Sequence, residues 1–265
     1  FTLYNNINAI RIVEDRVSET YSNTLRIFVQ RVDDTMVEMN QYLFKMETQD
    51  ADTGLTRSYP YLSDEYVLTK VRIQQKMTRD IGFYNMISTI FIYTGQDLIY
   101  ASNMNELTAI DIINLNINKL IEKEKEQGIN EWHLIYDKRV EGGYMLARIE
   151  QFDTGVYGGV FINVIDIARP LDILWNKGNI GQTEIYWHDG SAIVEPLTTT
   201  DSEIDFSEKL TISPMLTRQT VTSPESGERY LVISQSSNTA KLLYNIIIPE
   251  STMLLNIPFL QKTTY

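Results

Sequence analysis

The sequence predicts an α+β protein in which one long N-terminal helix precedes two modules, each built on an antiparallel sheet. Three observations carry this. Apolar residues recur at steps of three or four from residue 5 to residue 47, and the first glycine is Gly54. The stretches 142–162 (GGYMLARIEQFDTGVYGGVFI) and 227–248 (GERYLVISQSSNTAKLLYNIII) follow one plan of glycine, tyrosine, apolar strand, polar turn and apolar strand. The hairpin pattern MISTIFIYTGQDLIYASN (86–103) has a looser copy around His188-Asp189-Gly190-Ser191.

The first element is a helix over 5–47. Its stripe runs through Ile7, Ile10, Val13, Val17, Tyr21, Leu25, Phe28, Val32, Met36, Met39, Leu43 and Met46. At 1.5 Å per residue it is roughly 65 Å long, beyond the usual globular helix. Such a stripe either packs along the helix's own modules or pairs in part with a second copy. Residues 50–60 are polar, hold Gly54 and Pro60, and read as a loop. A second helix follows over 64–80.

Strands are expected at 87–93 and 97–102, then an amphipathic helix over 106–127 with Leu107, Ile110, Ile113, Ile117 and Leu120 inward, stopped by Gly128. Three more strands, near 131–137, 143–152 and 156–165, complete the first module, the last two joined by Asp153-Thr154-Gly155. Strand, strand, helix and three strands make one α+β unit.

The second module repeats this with strands at 183–187 and 192–195 and the pair within 227–248. Gly95 to Tyr144 is 49 positions and Gly190 to Tyr230 is 40, so its middle helix is largely lost. The seam is Trp175-Asn176-Lys177-Gly178-Asn179-Ile180-Gly181, and a short final helix covers 249–261. The expected division is 1–50 for the long helix, 51–174 for the larger module and 175–265 for the smaller one with its C-terminal helix.

Composition narrows the function. A chain of 265 residues with 43% hydrophobic content buries a sizeable core. A formal charge of -12 without basic clusters argues against a nucleic-acid partner. The lack of cysteine removes thiol nucleophiles, disulfides and thiolate metal sites. His133 and His188 are far apart and lack zinc-hydrolase spacing. No G-x-S-x-G elbow and no cofactor signature is present, so a non-enzymatic role without cofactor is expected. The chain starts at Phe1 and has no apolar run of about twenty residues, which reads as an excised piece of a larger protein.

With these elements in place, the chain resembles the double Cache sensor region of bacterial membrane receptors, a long helix carrying a larger membrane-distal and a smaller membrane-proximal PAS-like module. MISTIFIYTGQDLIYASN, Trp132 at a strand start, GGVFINVIDIARPLDIL and IIIPESTMLLNIP resemble the extracytoplasmic part of YesM-type sensor histidine kinases. The resemblance covers nearly the whole chain. It implies a domain outside the cytoplasmic membrane, flanked by two spans, that binds a small solute in its distal module, pairs with a second copy through the N-terminal helix and signals to a kinase. Membrane-anchored AraC-type regulators and chemoreceptors carry the same region. The rival reading is a dimerising interaction module whose pockets are filled by side chains. A free solute-binding protein is a third.

Candidate ligand contacts are polar or aromatic residues on strand faces. By the period of two, Trp132, Leu134 and Tyr136 share one face, and Tyr144, Leu146, Arg148 and Glu150 share another. Arg148 stands out, because a guanidinium in mid-strand needs a carboxylate or a ligand. Trp132 and Tyr136 offer flat faces with polar tips, suited to sugar rings as well as peptides. Tyr93 ends the first strand and lines the same side. In amino-acid-binding members of the resembled family an aspartate near the end of the last distal strand holds the ligand amine; here Asn163 stands nearest, with Asp166 three residues on, and no tyrosine-arginine-tryptophan run precedes them. The sequence does not identify the ligand; the context of the resembled family, with the aromatic content, points to carbohydrate as one class to expect. Glu122, Glu124 and Glu126, alternating with Lys123 and Lys125, read as a solvated helix end.

Overall fold

A computed structural model describes residues 2–84, 86–127, 131–176, 181–198, 207–223 and 227–255. Helix α1 is Thr2–Thr48. Its stripe is buried from Leu25 through Phe28, Val32, Met36, Met39 and Leu43 to Met46, and Val17 and Tyr21 are partly covered. The side chains of Ile7, Ile10 and Val13 lie outside the described set. The chain divides into two units, one of Phe1–Asp33 with Ala168–Tyr265 and the other of Asp34–Ile167, so α1 contributes to both.

In the Asp34–Ile167 unit the predicted 50–60 loop instead contains a helical turn, α2 at Ala51–Thr56, because the Asp50 side chain accepts the Thr53 N–H and caps it. Helix α3, Asp64–Ile81, starts at Ser63, whose Oγ accepts the Tyr66 N–H. Then come β1 (Ile87–Tyr93), β2 (Leu98–Ser102), α4 (Glu106–Gln127), β3 (His133–Tyr136), β4 (Tyr144–Asp153) and β5 (Val156–Asn163). The strands form an antiparallel sheet ordered β2-β1-β5-β4-β3.

The β1–β2 turn is tied to α3, since Asp97 accepts from the Tyr66 hydroxyl at 3.0 Å and pairs with Lys70 at 2.7 Å. Burial and the adjacent carboxylate push the Tyr66 phenol up to about 12. Helix α4 buries Ile112, Ile113, Ile117 and Leu120 in a cluster with Phe91, Ile135, Met145, Ala147, Ile149, Tyr157 and Phe161, and its Ala109 is buried as well. Leu107, expected inward, is 73% exposed. It lies in the first turn, where Asn105 accepts its N–H, and the buried stripe starts only at Ala109.

Helix α5 (Val164–Asn176) starts at the end of the Asp34–Ile167 unit, with its residues from Ala168 on counted in the other, and reaches into the expected seam; residues 177–180 lie outside the described set. Strands β6 (Gln182–His188), β7 (Ile193–Pro196), β8 (Thr217–Thr222), β9 (Arg229–Ser236) and β10 (Leu242–Pro249) form a second antiparallel sheet ordered β7-β6-β10-β9-β8. The two sheets share one strand order. In the Asp189 turn, the Oδ1 accepts from the Ser191 and Ala192 N–H groups, and these bonds hold the carboxyl down at about 2. Helix α6, Glu250–Leu255, follows Pro249, and the rest of the expected 249–261 helix lies outside the described set.

Candidate functional site

Register divides the six sequence-predicted site residues. Leu134 pairs with Leu146 and Tyr136 with Tyr144, which places Arg148 on their face of the first sheet. Met145, Ala147 and Ile149 alternate with them and face the α4 cluster, and Tyr93 packs there too. Tyr93 and Arg148 therefore do not converge. Tyr136 is 66% exposed and meets Tyr144 ring to ring at a tilt of 59°, with centroids 5.2 Å apart, at an open edge of the sheet.

Asn163 and Asp166 belong to the start of α5. Asn163 is buried, and its Oδ1 accepts the Ile165 N–H at 3.2 Å, which makes it the cap of that helix. Asp166 stands in the first turn, where a carboxylate complements the helix dipole. Trp132 precedes β3, one position earlier than the strand it was expected to open.

What the fold does bring together is a buried polar cluster around Arg148. The guanidinium is 0% exposed, and its Nη1 donates to the Glu131 carbonyl at 3.5 Å, in the connection between α4 and β3. Trp132 follows immediately, buried, and its indole Nε1 has no hydrogen-bond partner among the described residues. Glu124, expected to be solvated, is buried on α4. It continues the inward spacing Ile113, Ile117, Leu120 by four residues, a signal hidden by the surrounding charge run. One of its oxygens, Oε2, is also unpartnered among the described residues.

The electrostatics are those of a crowded, dehydrated corner. Burial pushes the Glu124 carboxyl up, Arg148 opposes this and Glu150 adds to it. Burial likewise raises Glu150, with Arg148 opposing and Glu47 of α1 adding. The Arg148 guanidinium is pushed down by burial against the pull of Glu150 and Glu124. The cluster offers carboxylate acceptors, a guanidinium and an indole donor, groups complementary to hydroxyl-bearing or zwitterionic solutes.

A prediction follows from the sign of the Glu124 shift. A carboxyl raised in the folded state contributes stability that is complete below its unfolded pKa and is lost as pH rises through the folded value. Glu124→Gln therefore raises the melting temperature at about pH 7.5, and the gain disappears at about pH 4, where the parent carboxyl is protonated. Thermal melts of both proteins at the two pH values check this.

No family model and no curated protein matches the chain. Among solved structures, a domain of a protein named for the sensory box/GGDEF family, from Vibrio parahaemolyticus, superposes with a TM-score of 0.56 at 11% identity, over 91% of this chain and 99% of that one. The ligand-binding domain of the Campylobacter jejuni chemoreceptor Tlp3, solved with L-valine, gives 0.52 at 11% identity, over 92% and 97%. The likeness is one of fold, a long helix with two antiparallel five-stranded sheets. The extracellular domain of a protein named as the histidine kinase rpHK1S-Z16 matches with 0.50 at 13% identity, over 91% and 95%. The Arg148 cluster belongs to the Asp34–Ile167 unit. Among the described residues, no helix is long and apolar enough to cross a membrane.

Proposed function

We propose that the chain is the extracytoplasmic ligand-sensing domain of a membrane-bound sensor histidine kinase of the YesM type. The Asp34–Ile167 unit is the membrane-distal module and binds a small solute, and the second sheet unit is membrane-proximal. The observation that carries the reading is the double Cache architecture with a dehydrated Glu124–Trp132–Arg148 cluster set into its first sheet unit. A carboxylate, a guanidinium and an indole N–H suit a sugar, whose hydroxyls both donate and accept. An amino acid fits less well, because Asn163 carries no charge to hold an ammonium group and its oxygen caps α5. Chemoreceptors and AraC-type regulators with this fold share the sensing step and differ in output.

Signalling in this reading passes through α1, which contributes residues to both units. Ile27, Val37 and Phe44 are exposed on the side of α1 away from its buried stripe and provide apolar surface for a second copy of the helix. A solute shifts the receptor only by its differential affinity for two packings of helix and sheet.

A thermal-shift screen of the purified chain against monosaccharides, disaccharides, amino acids and short peptides tests the ligand assignment. The expected result is a saturable rise in melting temperature with a sugar, weakened in Trp132→Phe, which keeps an aromatic face and loses the N–H. A response to amino acids alone overturns the carbohydrate assignment, and silence across the whole screen overturns small-solute sensing in favour of a protein-interaction module.

A further inference from the structure

From Leu25 toward its N-terminus the inward face of α1 changes character. The positions that continue it by steps of three and four are Ser22, Ser18 and Asp15. Ser22 and Ser18 are buried, as Leu25, Val29 and Val32 are further along the helix, but a serine fills far less space than a leucine or valine. A half-open cavity of about 190 Å³ lies beside Asp15 and Ser18. Thr220 on β8 and Leu231 on β9, which pair across the strands and share a face, line its sheet side together with Arg229. Glu250 and Met253 of α6 line it as well.

The charges around this space do not cancel. Asp15 and Glu250 are carboxylates, and Arg229 is the one guanidinium on the wall. Arg229 is already engaged, since its Nη1 pairs with Glu250 at 3.1 Å. Asp15 is exposed and has no ion-pair partner among the described residues. The excess is negative, in a chain of formal charge -12, so the cavity draws cations rather than anions. No group of three carboxylate or histidine side chains fit to hold a metal ion occurs among the described residues, which makes an organic cation the better match. Since a cavity of about 150 Å³ holds one benzene ring, this one takes a solute of roughly eight non-hydrogen atoms.

We infer that the cavity is a binding site for a short aliphatic primary amine carrying a single positive charge, with its ammonium group on Asp15 and its carbon chain on Leu231 and Met253. An ammonium group donates three hydrogen bonds, and the Asp15 carboxylate, the Ser18 hydroxyl and the Glu250 carboxylate are acceptors on the wall. A bound amine joins α1 to α6 within one unit. The site is separate from the Arg148 cluster and does not depend on what that cluster binds.

The test titrates the 265-residue chain with ethanolamine, 4-amino-1-butanol and isobutylamine against matched sodium chloride, read by calorimetry and melting temperature. At least one amine binds saturably with a Kd below about 1 mM and raises the melting temperature. Asp15→Asn binds it at least about tenfold more weakly, and Thr220→Lys, which puts an ammonium of its own at an exposed edge-strand position on the wall, does not bind it. Glu19→Gln, the same loss of charge at an exposed α1 position off the wall, and Trp132→Phe bind as the parent does. If the lysine variant does not fold, Asp15→Asn decides. The inference is overturned by silence toward all three amines, by binding undiminished in the folded Asp15 variant, by equal weakening in Asp15→Asn and Glu19→Gln, which is diffuse charge attraction only, or by a matching loss in Trp132→Phe, which places the amine at the Arg148 cluster.

Discussion

Asp33→Ala lowers the stability of the second sheet unit by about 3 kcal/mol, the cost of withdrawing a buried carboxylate from several donors. Asp33 sits on α1, buried, and accepts from the Ser237 hydroxyl, from the Asn238 N–H at 2.9 Å and from the Asn238 side chain at 3.4 Å. Ser237 Oγ in turn accepts the N–H groups of Thr239 and Ala240, so one carboxylate organises the whole β9–β10 turn and fastens it to the helix. Next to this latch Phe28 meets the fully buried Tyr244 edge-on, with ring centroids 5.6 Å apart. Alanine leaves the Asn238 N–H and the Ser237 hydroxyl without their acceptor. Urea unfolding followed by circular dichroism measures the loss. Asp34→Ala, one residue on and exposed, serves as control and changes stability by less than about 0.5 kcal/mol. Equal effects of the two substitutions would mean that the latch holds nothing.

Gly159→Ala is the second large effect. A Cβ at this position would lie 2.3 Å from the Phe91 ring and 2.9 Å from the Arg148 carbonyl oxygen, and the latter is backbone. Phe91 is itself packed against Phe161, with centroids 5.1 Å apart, so the ring has little room to turn away. Overpacking of this kind costs about 3 kcal/mol and displaces β4 at Arg148. The expected result is a matching fall in the urea midpoint, partly recovered by adding Phe91→Leu, which clears the ring and leaves the backbone contact. A neutral Gly159→Ala would show that the first sheet is looser here than these distances imply.

Much of the fold was legible in the amino-acid sequence because its signals were local. The stripe on α1 depends only on a step of three or four, and β1 and the start of α4 fall where alternation and spacing predict; Gly128, the expected stop, lies outside the described residues. The misses have physical causes. β8, Thr217–Thr222, reads TRQTVT; it is an edge strand with its outward positions in water, so it lacks an apolar run. α2 contains Gly54 and survives through the Asp50 cap, a contact that composition does not display.

The sites were less legible, since convergence in space is a property of register and of helix rotation. Arg148 stood out from chemistry alone, as a charge in mid-strand, and the fold buries it completely. Glu124 was hidden by its charged neighbours although its spacing from Leu120 pointed inward. Asn163 looked like a ligand contact from its place in the chain, and the backbone gives its oxygen to α5.

The sensing account is tested most directly by disulfide crosslinking in the full membrane receptor. The described sequence has no cysteine, so single cysteines at Ile27, Val37 and Phe44 report on this helix without background from the domain. The account predicts crosslinks between two copies at one or more of these positions, with efficiency that changes when the stabilising solute saturates the receptor. Crosslinks that form equally well with and without solute, or none at any position, would contradict it.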